Sequence, residues 1–266
     1  MRNKIIFVGL IFLTNLCFSY ITIFSPKIIS AGENFLTVSE PTFFNPANLL
    51  DQQKTIYFMY SNPYFSYELN KTLVSFSLPT EIGNIAFTSS FYGIDVYKEL
   101  YLFCSYGIGF DKFSFGGKIK FFVINVETDD ETIVSKQNFV FGLDLSFGYS
   151  VTKNFYIFFM TTNVNSPEYK FTNYEVNKIK PEYIVGIRYD LYENVKLFME
   201  KQYDTALSYG GEFLLTKNFC FRCGVNKYGK ACFGFSIETK KLDIDFSVKI
   251  DPILGWDPSF AVGYKF

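Results

Sequence analysis

FVFGLDLSFGYSVTKNFYIFF, residues 139–159, alternates without a break through its first eleven positions. Phe139, Phe141, Leu143, Leu145, Phe147 and Tyr149 take every second place; Val140, Gly142, Asp144, Ser146 and Gly148 fill the gaps. Successive strand side chains point to opposite faces, so one face is greasy and the other small or polar. A soluble sandwich turns the greasy face inward, and a membrane barrel turns it out to lipid. The stretch alone does not separate the two; its neighbours do.

Thirteen further strand-like runs surround it, and no amphipathic helix interrupts them after residue 54. The fourteen runs cover about 54–61, 71–79, 82–91, 98–110, 112–126, 136–150, 154–163, 181–190, 194–202, 205–215, 218–226, 230–238, 241–250 and 258–266. An even count and runs near the ~9–11 residues of a tilted membrane strand suit an up-and-down transmembrane barrel. The joints sort by parity. Those after even-numbered runs are short, among them Val151-Thr152-Lys153, Leu191-Tyr192-Glu193 and Thr216-Lys217. Those after odd-numbered runs are generally longer: 62–70, 92–97, 127–135, 164–180 and 251–257, with short exceptions near Asp204 and at 226–229. A barrel with short turns on one rim and long loops on the other predicts this sorting. A Greek-key sandwich does not.

The greasy rows recur along the chain: Tyr183 to Tyr189, Phe219 to Val225, Phe233 to Ile237, Leu242 to Ile250 and Phe260 to Phe266, every second residue. The opposite faces carry Asp144, Arg188, Asp190, Arg222, Glu238, Asp243, Asp245, Lys249 and Lys265, interspersed with glycine. These charges are expected to line a wet or salt-bridged lumen. Tyr149, Tyr189, Tyr264 and Phe266 fall near the short-turn ends, where an aromatic girdle belongs. Residues 155–160 are apolar on both faces, so the inner one must cover something inside the barrel. A charge at Leu143 should be costly and one at Ser146 tolerated.

Composition removes other classes. The 266 residues carry 25 basic and 26 acidic side chains, so no basic excess exists to attract nucleic acid. There is no histidine, which takes away the usual general base and the commonest metal ligand. Gly116-Gly117-Lys118 lacks the first glycine and the Ser or Thr of a phosphate loop. Asp129-Asp130-Glu131 lacks calcium-loop spacing and reads as a solvated loop. Cys220 and Cys223 sit three apart on a strand, hence on opposite faces, and cannot share a metal. No catalytic residue, metal or cofactor is expected, and the chain does not read as an enzyme.

The beginning, MRNKIIFVGLIFLTNLCFSY, has a basic start, an apolar core from Ile5 to Leu16, and small residues at Cys17 and Ser19. Residues 1–19 are therefore expected to be an export signal cut after Ser19. A retained anchor over Ile5 to Phe24 is the competing reading, interrupted by Thr14, Asn15 and Ser19. The chain ends PSFAVGYKF, with Phe260, Val262, Tyr264 and Phe266 on one face. This tail resembles the C-terminal signal by which the barrel-assembly machinery recognises outer-membrane barrels.

Two stretches resemble one family. SAGENFLTVSEPTFFNPANLL, residues 30–50, is similar to the N-terminal segment of PorV/PorQ-like outer-membrane proteins and their FadL relatives, through Phe44, Asn45, Pro46, Ala47 and Leu49. Phe44 stands where tryptophan is frequent, and the usual upstream acidic pair is reduced to Glu40. The closing strands, from SYGGEFLLTKNF to the end, resemble the family in order and spacing. The resemblance implies residues 20–53 folded into the periplasmic mouth as a hatch, and a barrel over 54–266 in the bacterial outer membrane. A disordered leader is the plain alternative for 20–53. FadL relatives carry hydrophobic small molecules; PorV relatives serve secretion by binding an exported protein, for which the 164–180 loop is the candidate surface. A structural barrel with a sealed lumen is the third reading.

Overall fold

The computed structural model describes residues 24–40, 44–48, 53–94, 97–126, 137–170 and 177–266. Residues 1–19, Leu49 and the acidic cluster at 129–131 lie outside these. The strands are β1 (Thr55–Ser61), β2 (Lys71–Thr80), β3 (Gly83–Ile94), β4 (Tyr97–Phe110), β5 (Phe113–Val126), β6 (Gln137–Thr152), β7 (Phe155–Thr162), β8 (Glu168–Tyr169), β9 (Asn177–Lys178), β10 (Glu182–Tyr192), β11 (Val195–Gln202), β12 (Leu207–Thr216), β13 (Phe219–Val225), β14 (Ala231–Glu238), β15 (Leu242–Asp251) and β16 (Gly255–Lys265). Fourteen of them close an antiparallel up-and-down barrel; β8 and β9 form a separate hairpin within the β7–β10 connection. Closure comes from β1, which pairs with β2 on one side and β16 on the other, leaving no open edge.

Burial along β6 settles which face is which. Phe139, Phe141 and Leu145 are 73%, 42% and 58% exposed, while Val140 and Asp144 between them are 3% and 2% exposed. The same outward apolar rows run along β3, β5, β10, β14 and β16. A continuous belt of exposed rings on a closed barrel needs hydrocarbon around it, because water would drive such a surface to aggregate. The chain is a transmembrane barrel, and a barrel of this kind belongs in an outer membrane.

Short turns of two or three residues join β2–β3, β4–β5, β6–β7, β10–β11, β12–β13 and β14–β15. Both barrel ends of the chain share that rim, where the Phe266 N–H donates to the Lys54 carbonyl at 3.0 Å. Tyr149 stacks on Phe113 at 5.0 Å, and Tyr264 meets Phe266 edge-on at 5.1 Å, forming part of an aromatic girdle. Phe260, Tyr264 and Phe266 are exposed and Val262 half-buried on the outer face.

The opposite rim differs from expectation at two joints: β3 runs to Ile94 and β4 starts at Tyr97, so the expected 92–97 loop shrinks to the two residues between them. β16 begins at Gly255 rather than 258, so the last long-rim loop shrinks to residues 252–254. Trp256 pairs with Ile250 and Asp257 with Lys249, extending the ladder past Pro258. Pro258 is tolerated because β1 has ended one residue earlier, at the Ser61–Ser259 pair, which leaves it at an edge.

Candidate functional site

The lumen is occupied by the chain's own N-terminal segment. α1 (Pro26–Ser30) opens on Ser25, whose Oγ accepts from the Ile28 N–H at 3.3 Å, with Pro26 at the first helical position. The turn ends at Ala31 and Gly32, and Gly32 takes φ +79°, a conformation costly for a residue with a Cβ. Residues 30–32 lie against three wall glycines. A Cβ at Gly224 would stand 2.6 Å from the Gly32 nitrogen, and one at Gly234 would stand 2.6 Å from Ser30 Cβ. One at Gly210 would collide with the Ala31 carbonyl. The lumen glycines of β12, β13 and β14 therefore form a slot shaped for backbone.

Charge fixes the same end. Lys27 Nζ lies 2.6 Å from Glu238 and 3.8 Å from Asp245. Asp245 also accepts from Ser236 Oγ at 2.5 Å and from the Tyr57 hydroxyl at 3.0 Å. Arg222 pairs with Glu212 at 2.7 Å and donates to Ser236. Asp243 pairs with Lys265 at 2.7 Å. Lys249 bridges Glu33 of the inserted segment and Asp257, both at 3.0 Å. Arg188 lies 3.3 Å from Asp190, sits 4.0 Å over the Tyr156 ring, and donates to Ser39 Oγ at 3.1 Å. Several of the charges named from the sequence are thus neutralised by the inserted segment rather than by the wall alone.

The segment crosses the lumen. The Leu36 N–H donates to Glu200 at 2.9 Å, and Leu36 packs on Phe158, Met160 and Ile184. This is what the inner apolar face of β7 covers. Asn45 Nδ2 donates to the Leu36 carbonyl at 2.8 Å, and Asn45 Oδ1 accepts from the Ala47 N–H at 3.1 Å, folding Pro46–Asn48 into one 3-10 turn. That turn rests on β4, β5 and β6. The Ala47 N–H also donates to Ser146 Oγ at 3.0 Å, and Lys118 Nζ donates to the Phe44 carbonyl at 3.1 Å. A Cβ at Gly116 would run into Pro46 and Ala47.

Two expectations change here. Ser146 is not a spare lumen position, because the 3-10 turn is seated on it. Gly116 and Lys118, set aside as a failed phosphate loop, are a seat for residues 44–47. Glu33, Glu40, Glu200, Glu212, Lys118 and Lys120 were missed as lumen groups. The alternation of Lys118 and Lys120 with Ile119 and Phe121 carried that signal for β5. Lys118 and Lys120 share Asp144, at 3.2 and 2.5 Å, and Lys120 also donates to Asn163 at 2.6 Å.

Ser25 also donates to the Glu40 carboxyl, drawing the ends of residues 25–40 together. Burial pushes that carboxyl up to about 8, against the opposing pull of the Ser25 hydroxyl and the Lys27 ammonium.

Above the segment lies a cavity of about 250 Å³. Phe24, Phe35 and Phe44 of the segment form its floor, and Tyr101, Phe103 and Phe122 one wall. Tyr101 and Phe122 meet edge-on at 4.9 Å. Lysines and carboxylates ring it, including Lys71, Lys118, Lys120, Glu182 and Asp257. Tyr169 of β8 and Ile179, just after β9, pack on Tyr101, Phe122 and Val140. These two residues of the β7–β10 connection thus reach the lumen face of the wall.

No protein-family model matches the chain, and no curated protein matches it in sequence. Solved structures share its fold. The toluene transporter TbuX of Ralstonia pickettii superposes with a TM-score of 0.64 at 13% identity, covering 91% of this chain and 98% of that one. The toluene transporter TodX of Pseudomonas putida gives 0.61 at 10% identity, over 91% and 97%. A Pseudomonas aeruginosa FadL homologue gives 0.57 at 10%, over 91% and 98%. The chain therefore has the fold of FadL-type outer-membrane barrels.

Proposed function

We propose that the protein is a passive outer-membrane transporter for hydrophobic small molecules, with residues 20–53 acting as the hatch. The carrying observation is the phenylalanine-floored cavity, bounded below by the inserted segment and lined toward the long-loop rim by Lys227 and Tyr228. Its size suits a ligand of about a dozen non-hydrogen atoms, and its mix of rings with a few polar groups is that of a small-molecule site. In this reading residues 1–19 export the chain and are removed. Phe260, Val262, Tyr264 and Phe266 present the insertion signal to the assembly machinery, and no step needs catalysis. Deleting residues 30–50 is expected to change passage of an apolar ligand through protein reconstituted in liposomes. Unchanged flux, with the barrel still folded, would remove the hatch from the mechanism. A PorV-like secretion shuttle is the second reading; against it, Tyr169 and Ile179 of its candidate docking loop are packed on Tyr101, Phe122 and Val140 rather than offered to a partner.

A further inference from the structure

The barrel wall is uneven in height. On one side β4 and β5 pair from Phe110–Phe113 at the short turn up to Tyr97–Val126, fourteen residues. On the other, β13 and β14 pair from Phe219–Ile237 only to Val225–Ala231, seven residues, and β11–β12 is likewise seven. At ~3.4 Å per residue and ~40° of tilt, these walls stand about 36 Å and about 18 Å above their turns. The apolar band of an outer-membrane barrel is ~25 Å tall. The tall wall clears it; β11, β13 and β14, at eight, seven and eight residues, end inside it, and β12, at ten, only reaches its edge.

The side chains at the low rim agree with that depth. Tyr183 and Tyr209 are exposed at the tops of their strands, and Tyr203 and Tyr228 are 76% and 59% exposed in the loops above. Tyrosine is the residue of membrane–water boundaries, with an apolar ring and a polar tip. Lys201 adds an outward cation beside Tyr203, its Nζ donating to the Thr205 carbonyl. The apolar belt below runs unbroken into this rim through Leu207, Met199 and Phe233. Directly behind it, Gln202, Lys227 and Tyr228 line the cavity.

We propose that the low rim between β10 and β14 is a lipid-contact surface. Outer-leaflet headgroups lie at the level of Tyr203 and Tyr183, so the cavity lies beside lipid on that side and beside water only on the tall side. For the transport reading this names the source of ligand as the membrane phase; the surface itself stands without that reading.

The single tryptophan makes the test direct. In the full-length Trp256→Phe protein, Tyr203→Trp is placed on the low rim and Asn125→Trp on the outer face atop the tall wall. Each is reconstituted in phosphatidylcholine vesicles brominated at upper acyl-chain carbons. Tyr203→Trp is expected to lose at least half its emission to the brominated lipid and to resist aqueous iodide; Asn125→Trp is expected to do the reverse. Should Tyr203→Trp fail to fold, Tyr183→Trp takes its place. A low-rim tryptophan that iodide quenches and brominated lipid does not would overturn the proposal. The readout involves no ligand, so it fails or holds separately from the transport reading.

Discussion

The inserted segment is held at two places, and they are built differently. At residues 27–33 the contact is a slot of three wall glycines flanked by ion pairs, Lys27 with Glu238 and Glu33 with Lys249. At residues 44–47 it is one glycine, Gly116, with one neutral hydrogen bond, from the Ala47 N–H to Ser146 Oγ, and a lysine on a carbonyl. The first contact has three glycines and two ion pairs; the second is buried as well but has one glycine and no ion pair. A segment meant to move in part would be expected to release the second end first.

The largest effect should come from Gly210→Val, which drives a branched side chain into the Ala31 carbonyl. Overpacking against backbone that cannot yield should cost docking about 3 kcal/mol or more. Cysteine labelling at residue 29 should go from protected to reactive; continued protection would show that the slot can widen. Leu143→Lys breaks neither anchor and should cost about 2–4 kcal/mol of barrel stability through its lipid-facing position. Urea unfolding from vesicles measures it, and labelling of the segment should stay as in the parent. Gly116→Ala should cost about 1–3 kcal/mol at the second anchor. It should expose residue 47 to labelling while residue 29 stays protected, and loss of both together would erase the distinction between the two contacts.

The smallest effect is a pH dependence. With its native carboxyl raised to about 8, Glu40 holds a proton in the docked segment that a released segment would have given up. Docking should therefore weaken as pH rises from about 4.5 to about 8 and level off beyond, by the linkage of proton binding to stability. Glu40→Gln should flatten that slope in a labelling-rate series, and a slope unchanged by the substitution would assign it to another group.

Strand positions and faces were legible because alternation is a local property: each residue of β6 declares its side through its neighbours. The start of β16 was not, because Pro258 looks like a barrier until the end of β1 beside it is known. Charge partners were legible only as a class. Asp245 plainly faced inward, but its cation, Lys27, lies more than two hundred residues away in sequence. Ser146 misled for the same reason, since a small polar lumen residue looks alike whether it faces water or a docked backbone. Residues 155–160 were the most informative irregularity. Two apolar faces on one strand called for an internal partner, and Leu36 occupies that place.

The two anchors have a mechanical consequence. α1 rests on β13, β14 and β15, and the 3-10 turn on β4, β5 and β6. Around the closed ring of fourteen these groups face each other across the full diameter. The segment is thus a crossbeam as well as a stopper: it braces the cylinder against flattening. Withdrawing it should free the two walls to move toward and away from each other, and the cross-section, now held round, should begin to breathe.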